Sequence, residues 1–420
     1  MDRVSFKRAL KQPVKLLQIG ASWFPYEFSG LERYFAELVT HLPDFGIEVN
    51  ALVYELKKSP DIEGLQIASF GTQAKSYARR FLDQRRIMKS HLNQGIDAVV
   101  SHCTPSLFPA LKDLGRKPLI CHFHGPRHLE RAAEGANAFS IQLSKYIEHK
   151  VYARADHVIT LSQYMKHVLE QTYNIPAERI SVIPGGVNVE RFQQSLTREE
   201  ARKRLDLPIN RPIILTVRRL TRRMGLHNLL DAMSEVVKIN PDVLLVIAGK
   251  GLLQDELQRY IRDQNLSYNV RMLGAVPDGL LASLYKAADF SVVPTVAYEG
   301  FGLILVESLA SGTPALGTRV GAIPEVLGPL SESLLLESAS AQDLCNGICE
   351  VLAGQRILPN AQACEDYAIT NYAWPVVVSR VNDTYREVVG AREIQPRSVR
   401  AAARGFITHL SHVICHLTLM

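Results

Sequence analysis

Thr295-Val296-Ala297-Tyr298-Glu299-Gly300-Phe301-Gly302-Leu303-Ile304-Leu305-Val306-Glu307 follows directly on the short apolar run Phe290-Ser291-Val292-Val293, and this stretch decides the fold. A brief apolar run, then glycines, then helix formers reads as a strand whose carboxyl end turns through a loop into a helix starting near Gly302. The free amides and dipole of such a helix start attract an anion, and the glycines let a phosphate approach the backbone. Glu299 and Glu307 stand eight residues apart, about 12 Å along a helix, so one carboxylate can sit at each end of a bound diphosphate and accept bonds from hydroxyl groups. Spacing alone leaves open a solvated helix carrying two ordinary glutamates.

The same strand-helix rhythm continues outward in both directions. Strand candidates in the first half are 14–20, 47–54, 67–70, 96–101, 118–122, 157–161 and 180–184; in the second they are 213–217, 243–248, 270–273, 290–293 and 315–317. Between them lie amphipathic segments such as 226–239, where Leu226, Leu229, Leu230, Met233, Val236 and Val237 recur at helical spacing. Alternation of this kind predicts an α/β protein with parallel sheets covered on both faces. The charged stretch 197–211, ending near two prolines, is the best boundary, giving domains 1–206 and 207–372. Two doubly wound sheets would then face each other across a cleft at the carboxyl ends of their strands, which is where ligands of such folds bind.

A length of 420 residues agrees with two domains. With 47% hydrophobic and 21% charged residues, disorder, collagen and coiled coil are excluded. Net charge is +6, but the excess lies in residues 1–206, which hold 29 Lys and Arg against 22 Asp and Glu. That field favours an anionic partner. Six cysteines without a CxxC pair read as reduced thiols of a cytoplasmic protein. The N-terminal segment lacks the apolar run and cleavage site of a signal peptide, and no stretch of about 20 apolar residues is present to span a membrane.

The E-x7-E pattern is followed by Ala310-Ser311-Gly312-Thr313-Pro314 and Gly321-Ala322-Ile323-Pro324-Glu325, and preceded by Val217-Arg218-Arg219-Leu220, Ala248-Gly249-Lys250-Gly251, Leu273-Gly274 and Leu284-Tyr285-Lys286-Ala287-Ala288-Asp289. This set resembles the retaining nucleotide-sugar glycosyltransferases of family 4, which have the GT-B fold of two facing Rossmann-like domains. The resemblance implies that Glu299 contacts the transferred sugar and supports charge at its anomeric carbon, that Glu307 holds the ribose hydroxyls, and that the backbone at Phe301, Gly302 and Leu303 faces sugar and diphosphate. It implies no cofactor and no metal, so fixed cations must stand beside the leaving diphosphate.

The family supplies those cations as an arginine and, five residues on, a lysine in a segment shaped like GRLxxxKG. Here the text is Arg218-Arg219-Leu220-Thr221-Arg222-Arg223-Met224-Gly225. Arg219 fits the arginine position, whereas Met224 occupies the lysine position; Arg223 or Arg222 is the expected replacement, able to bind phosphate bidentately. A solvated turn is the alternative for these arginines. Read bare, Ser29-Gly30 is a helix start; the resemblance places Gly30, which remains from a family glycine pair, near the donor phosphate. His122-Phe123-His124-Gly125-Pro126 follows a strand, and the resemblance assigns the sugar contact to His124, with His122 on the same strand face as the alternative.

Residues 75–92 carry the local basic excess. Tyr77, Phe81, Met88 and Leu92 fall in one stripe flanked by Lys75, Arg79, Arg85, Arg86 and Lys89. Such a helix can lie on an anionic membrane surface or pack on the sheet beneath a solvated basic face. No nucleic-acid motif accompanies the charge. Residues 373–390 resemble the family helix that crosses back to the first domain, and residues 391–420 form a basic tail without a family counterpart.

The expected activity is transfer of a sugar from a UDP- or GDP-sugar to a hydroxyl acceptor, lipid-linked in one version, in bacterial envelope, exopolysaccharide or glycolipid synthesis at the inner face of the membrane. A GT-B sugar-nucleotide epimerase and a nucleotide-sugar-binding protein that has lost catalysis are the alternatives. A Rossmann dehydrogenase is disfavoured because no G-x-G-x-x-G follows a strand.

Overall fold

The structure is a computed structural model and describes residues 13–24, 29–54, 56, 59–71 and 76–394. Strands β1 (Val14–Ser22), β2 (Ile47–Tyr54), β3 (Leu65–Ser69), β4 (Ala98–Ser101), β5 (Leu119–Phe123), β6 (His157–Thr160) and β7 (Ile180–Val182) form one parallel sheet in the order β3-β2-β1-β4-β5-β6-β7. Strands β8 (Ile213–Val217), β9 (Leu244–Ala248), β10 (Val270–Gly274), β11 (Phe290–Val293), β12 (Ala315–Thr318) and β13 (Leu335–Leu336) form a second, ordered β10-β9-β8-β11-β12-β13 and also parallel. Helices cover both faces, which is why central strands such as β4, β9 and β11 are buried at every position. This is the doubly wound α/β, GT-B architecture expected from the sequence. β13 was not anticipated, being two residues long and too short for any periodic signal.

In each sheet the strand order reverses once, between β1 and β4 in the first and between β8 and β11 in the second. Chains leaving neighbouring strands there turn to opposite faces and leave a crevice at their carboxyl ends. The residues after β1, β8 and β11 include Ser29-Gly30, Arg218-Arg219 and Glu299, so the topology gathers these segments singled out above, and it adds His102 from the end of β4.

The stretch read as a boundary contains a helix, Arg198–Arg204, closed by a capping box between Thr197 and Glu200. It packs on the second domain: Arg202 donates through Nε to Ala287 O at 2.9 Å and through Nη2 to Asp289 at 2.8 Å. The chain thus joins the second domain several residues earlier than the charge pattern suggested, because this charge is matched by acids and carbonyls of that domain.

The chain crosses between domains twice, and the crossings touch. Val187 forms a parallel bridge with Ala373 and its N–H donates to Tyr372 O at 2.7 Å. After the second crossing, the helix Trp374–Ile394 lies on the first domain, with the Trp374 ring 5.5 Å from Tyr34 and stacked 5.8 Å from His41. Two glycines fill the first crossing, where there is no room for more: a Cβ on Gly186 would stand 2.4 Å from Trp374 and one on Gly185 2.8 Å from Phe301.

The basic helix of the first domain spans Tyr77–Leu92, and its apolar stripe is split rather than continuous. Met88 and Leu92 are buried in the core while Phe81 is 41% and Leu82 64% exposed. Packing on the sheet takes the carboxyl half, and only the amino half remains a free apolar edge. Of its cations, Arg85 and Lys89 share Asp113 at 2.6 and 3.6 Å. Most of the 391–420 tail lies outside the described residues, as do Lys75 and the N-terminal twelve residues. Among the described residues, no helix is long and apolar enough to cross a membrane.

Candidate active site

A cleft of about 690 Å³ lies between the domains and is lined from the first by Gly30, Tyr34, His102, His122, His124 and Glu130, and from the second by Arg218, Arg219, Arg223, Met224, Tyr298, Glu299 and the backbone segment Gly300 to Leu303. Its volume falls in the range of small-molecule sites. Of the residues predicted to act, His124, Arg219, Glu299, Gly30, Arg223, Phe301, Gly302 and Leu303 are brought together here. Glu307 is not on this wall.

The second-domain wall begins where β11 ends. Tyr298 adopts the left-handed conformation at φ 54°, uncommon for a bulky residue and worth roughly 1–3 kcal/mol of strain. Its carbonyl is held by Arg223 Nη1 at 2.9 Å, and the bend presents Glu299 to the cleft. Gly302, at φ 82°, stands at the N-cap of the helix Leu303–Ala310. Among the described residues no side chain caps this end, so its amides are available to an anion. Gly300 packs against the first domain, a Cβ there falling 2.8 Å from His124 O, while its own carbonyl accepts from Ser162 Oγ at 2.9 Å.

Glu307 is buried beside an adjoining small cavity. Its carboxylate accepts from the Tyr285 hydroxyl at 3.1 Å and pairs with Arg33 of the first domain at 3.1 Å. Burial pushes its pKa up, and Arg33 partly offsets this. Arg33 also pairs with Asp278 at 2.5 Å, so one arginine ties the helix Gly30–His41 to two acids of the second domain. At the start of that helix Ser29 is the N-cap, accepting from Leu31 N at 3.2 Å.

The arginine segment is more divided than its sequence suggests. Arg219 is exposed in the cleft. Arg223 is buried, with acids of the first domain around it: Glu130 at 3.4 Å and Glu134 at 3.3 Å. Burial raises the pKa of Glu130, opposed by Arg223 and Arg219. Arg222 turns outward to Glu256 at 3.9 Å and does not line the cleft. Arg218, to which the sequence reading gave no role, is the buried guanidinium beside Glu299, donating from Nη2 to Oε2 at 2.7 Å. Burial lowers its pKa, and Glu299 pulls it back.

Three histidines form the opposite wall. His102 and His122 stack with ring centroids 4.1 Å apart, and His102 Nδ1 lies 3.3 Å from His124 Nε2. Burial lowers all three pKa values, that of His124 to about 3, so the stack is neutral at physiological pH. Their nitrogens lie within 4.8 Å of one another, and this is the place a metal could be held. Yet the Tyr34 and Tyr385 hydroxyls stand 3.3 and 2.7 Å from the two nitrogens of His122, and Gln18 Oε1 lies 3.1 Å from His102 Nε2. A metal would have to displace these bonds; the group is a hydrogen-bonded stack that holds His124 at the cleft.

Sequence reasoning missed Arg218, Arg33, Tyr34 and His102, whose roles depend on partners far along the chain. Glu325 stood in a family-like segment with no role attached to it. Its carboxylate reaches across to the first domain and accepts from Gln163 N and Tyr164 N, both at 2.7 Å, capping the helix Gln163–Tyr173.

Two facing doubly wound sheets with a cleft at both switch points are the GT-B architecture. The model described as Glycosyltransferase Family 4 matches residues 28–191 and that described as Glycosyl transferases group 1 matches residues 197–371. The chain belongs to glycosyltransferase family 4. It is 26% identical over 392 residues to the uncharacterized glycosyltransferase MJ1607 of Methanocaldococcus jannaschii, covering 89% of this chain and 98% of that one. It is 29% identical over 252 residues to a D-inositol 3-phosphate glycosyltransferase of Corynebacterium urealyticum, covering 57% of this chain and 59% of the relative. Among solved structures, Anabaena Alr3699/HepE in complex with UDP and glucose superposes with a TM-score of 0.71 at 19% identity, over 89% of this chain and 99% of the other.

Proposed function

We propose that the protein is a retaining, metal-independent glycosyltransferase that moves a sugar from a nucleoside diphosphate donor to a hydroxyl acceptor. The observation that carries this reading is the convergence of Glu299, Arg219 and the uncapped start of the helix Leu303–Ala310 on one cleft with His124 and Gly30 of the facing domain.

The diphosphate lies over the amides of Phe301 to Leu303 with Arg219 beside it, and the sugar lies between Glu299 and His124. The bond from the anomeric carbon to the phosphate oxygen breaks, and its electron pair leaves with the phosphate. The acceptor oxygen bonds to that carbon on the same face, and its proton passes to the departing phosphate oxygen. Glu299 stabilises the positive charge that develops on the sugar; amides and arginine stabilise the negative charge on the leaving group. His124, neutral, offers a hydrogen bond rather than a base. Entry of the nucleotide exchanges the Arg33 bond of Glu307 for a bond to ribose.

UDP is the first nucleotide to test, because the Anabaena relative was solved with it, and GDP the second. The inositol phosphate glycosyltransferase among the relatives supports a polyol or glycolipid acceptor, in envelope or exopolysaccharide synthesis. The free edge formed by Arg79, Phe81 and Leu82 would then bring the protein to an anionic membrane from the cytoplasmic side. The test is a thermal-shift panel of nucleotide sugars followed by donor hydrolysis and transfer assays. Glu299→Gln should lose turnover by about a thousandfold while still binding nucleotide; wild-type turnover in that variant would refute the site.

A further inference from the structure

Arg218 carries an unexplained feature. Its side chain is only 3% exposed, and its Nη2 donates to Glu299 Oε2 at 2.7 Å and to Met224 Sδ at 2.8 Å. Its Nε and Nη1 have no partner among the described residues, although the side chain lines the cleft. A buried guanidinium with two idle donors is costly, and native structures rarely leave such groups unpaired unless something absent from the site completes them. The neighbouring arginines are not free to act in its place, since Arg223 is held by Glu130, Glu134 and Tyr298 O, and Arg222 faces Glu256 outside the cleft.

The loop beneath Arg218 is rigid. Its N–H donates to Ala248 O at 2.8 Å, and its carbonyl lies against Gly249, where a Cβ would fall 1.7 Å away. Gly249 itself has φ 139°, a conformation that glycine alone adopts readily. The backbone that carries the guanidinium is therefore fixed. Met224 contributes a neutral, polarizable sulfur at the spot where an ammonium would face the guanidinium at contact distance.

Building on the glycosyltransferase reading above, we propose that Arg218 is the second phosphate-binding cation of the donor site, its Nε and Nη1 reserved for oxygens of the leaving diphosphate and its Nη2 holding Glu299 beside the sugar. Arg218 and Met224 act as a pair: the cation arrives from position 218, and position 224 is kept uncharged to make room for it. The two free donors lie on opposite edges of the guanidinium, so each is suited to a separate oxygen rather than to one bidentate grip.

The test uses the full chain and compares binding of UDP with UMP, and GDP with GMP, by calorimetry. Wild type should prefer the diphosphate. Arg218→Met should cut that preference about tenfold or more, while Arg218→Lys should keep part of it, and circular dichroism melts identify any variant that fails to fold. Met224→Lys alone should weaken diphosphate binding through like-charge repulsion, and Arg218→Gly combined with Met224→Lys should recover it. If wild type binds neither diphosphate, the glycosyltransferase reading falls and this inference with it. If wild type binds and transfers while Arg218→Met keeps the full diphosphate preference, Arg218 only orients Glu299 and this inference alone is overturned.

Discussion

The histidine stack makes the stability of the first domain depend on pH in a way that can be calculated. His102 and His122 are buried and His124 is half-buried at the cleft, and desolvation lowers the pKa of each from the ordinary value of 6.5, that of His124 to about 3. Unfolded, all three regain the ordinary value. Below about pH 6.5 the unfolded chain therefore binds protons that the folded chain refuses, and stability falls as pH falls. At about pH 5.5 each histidine contributes a loss of roughly 1 kcal/mol relative to neutral pH, and the stack a few kcal/mol. That is a large share of the roughly 5–15 kcal/mol holding a domain together. Urea unfolding followed by circular dichroism at about pH 7.5 and 5.5 measures the loss. His102→Gln, which cannot titrate, should lose roughly 1 kcal/mol less than wild type between the two conditions. Equal losses in variant and wild type would show that His102 is protonated in the folded state, and the neutral stack would have to be abandoned.

Three further outcomes follow from particular contacts. Glu307→Gln keeps a partner for Tyr285 but loses the charge that Arg33 faces; nucleoside diphosphate affinity should drop about tenfold, and unchanged affinity would remove Glu307 from the ribose site. Gly249→Ala places a Cβ 1.7 Å from Arg218 O, so a melt should show destabilisation of about 3 kcal/mol or more; a wild-type melt would mean the loop yields. Combining Arg79→Glu with Leu82→Glu should reduce sedimentation with phosphatidylglycerol vesicles about tenfold, whereas absence of wild-type binding would end the membrane reading.

Where local pattern determines structure, the sequence was a sufficient guide. The turn from β11 into the helix Leu303–Ala310 was legible because strand, glycine and helix former succeed one another within thirteen residues. His124 came from the family resemblance, its place at a strand's carboxyl end leaving His122 as the alternative, and both line the cleft. What stayed hidden were directions and distant partners. Four arginines lie between 218 and 223, and nothing in their order says that Arg219 enters the cleft, Arg222 leaves it and Arg218 and Arg223 are buried. Arg33 and Glu307 meet across the domains, as do Glu325 and the amides of Gln163 and Tyr164. The helix Tyr77–Leu92 misled for another reason: Gln84 is buried in line with Met88 and Leu92 while Phe81 is exposed. A polar residue holds an inward position there, so apolar periodicity alone places the buried face wrongly.

The paired crossings at Val187 and Ala373 have a mechanical consequence. Two independent connections would let the domains slide or twist, but connections bonded to each other at one point confine the covalent joint between the domains to a single place. The ring of Phe301 lies against Gly185, beside that joint. On the donor-site reading proposed above, the lever arm between that joint and the diphosphate is one side chain long.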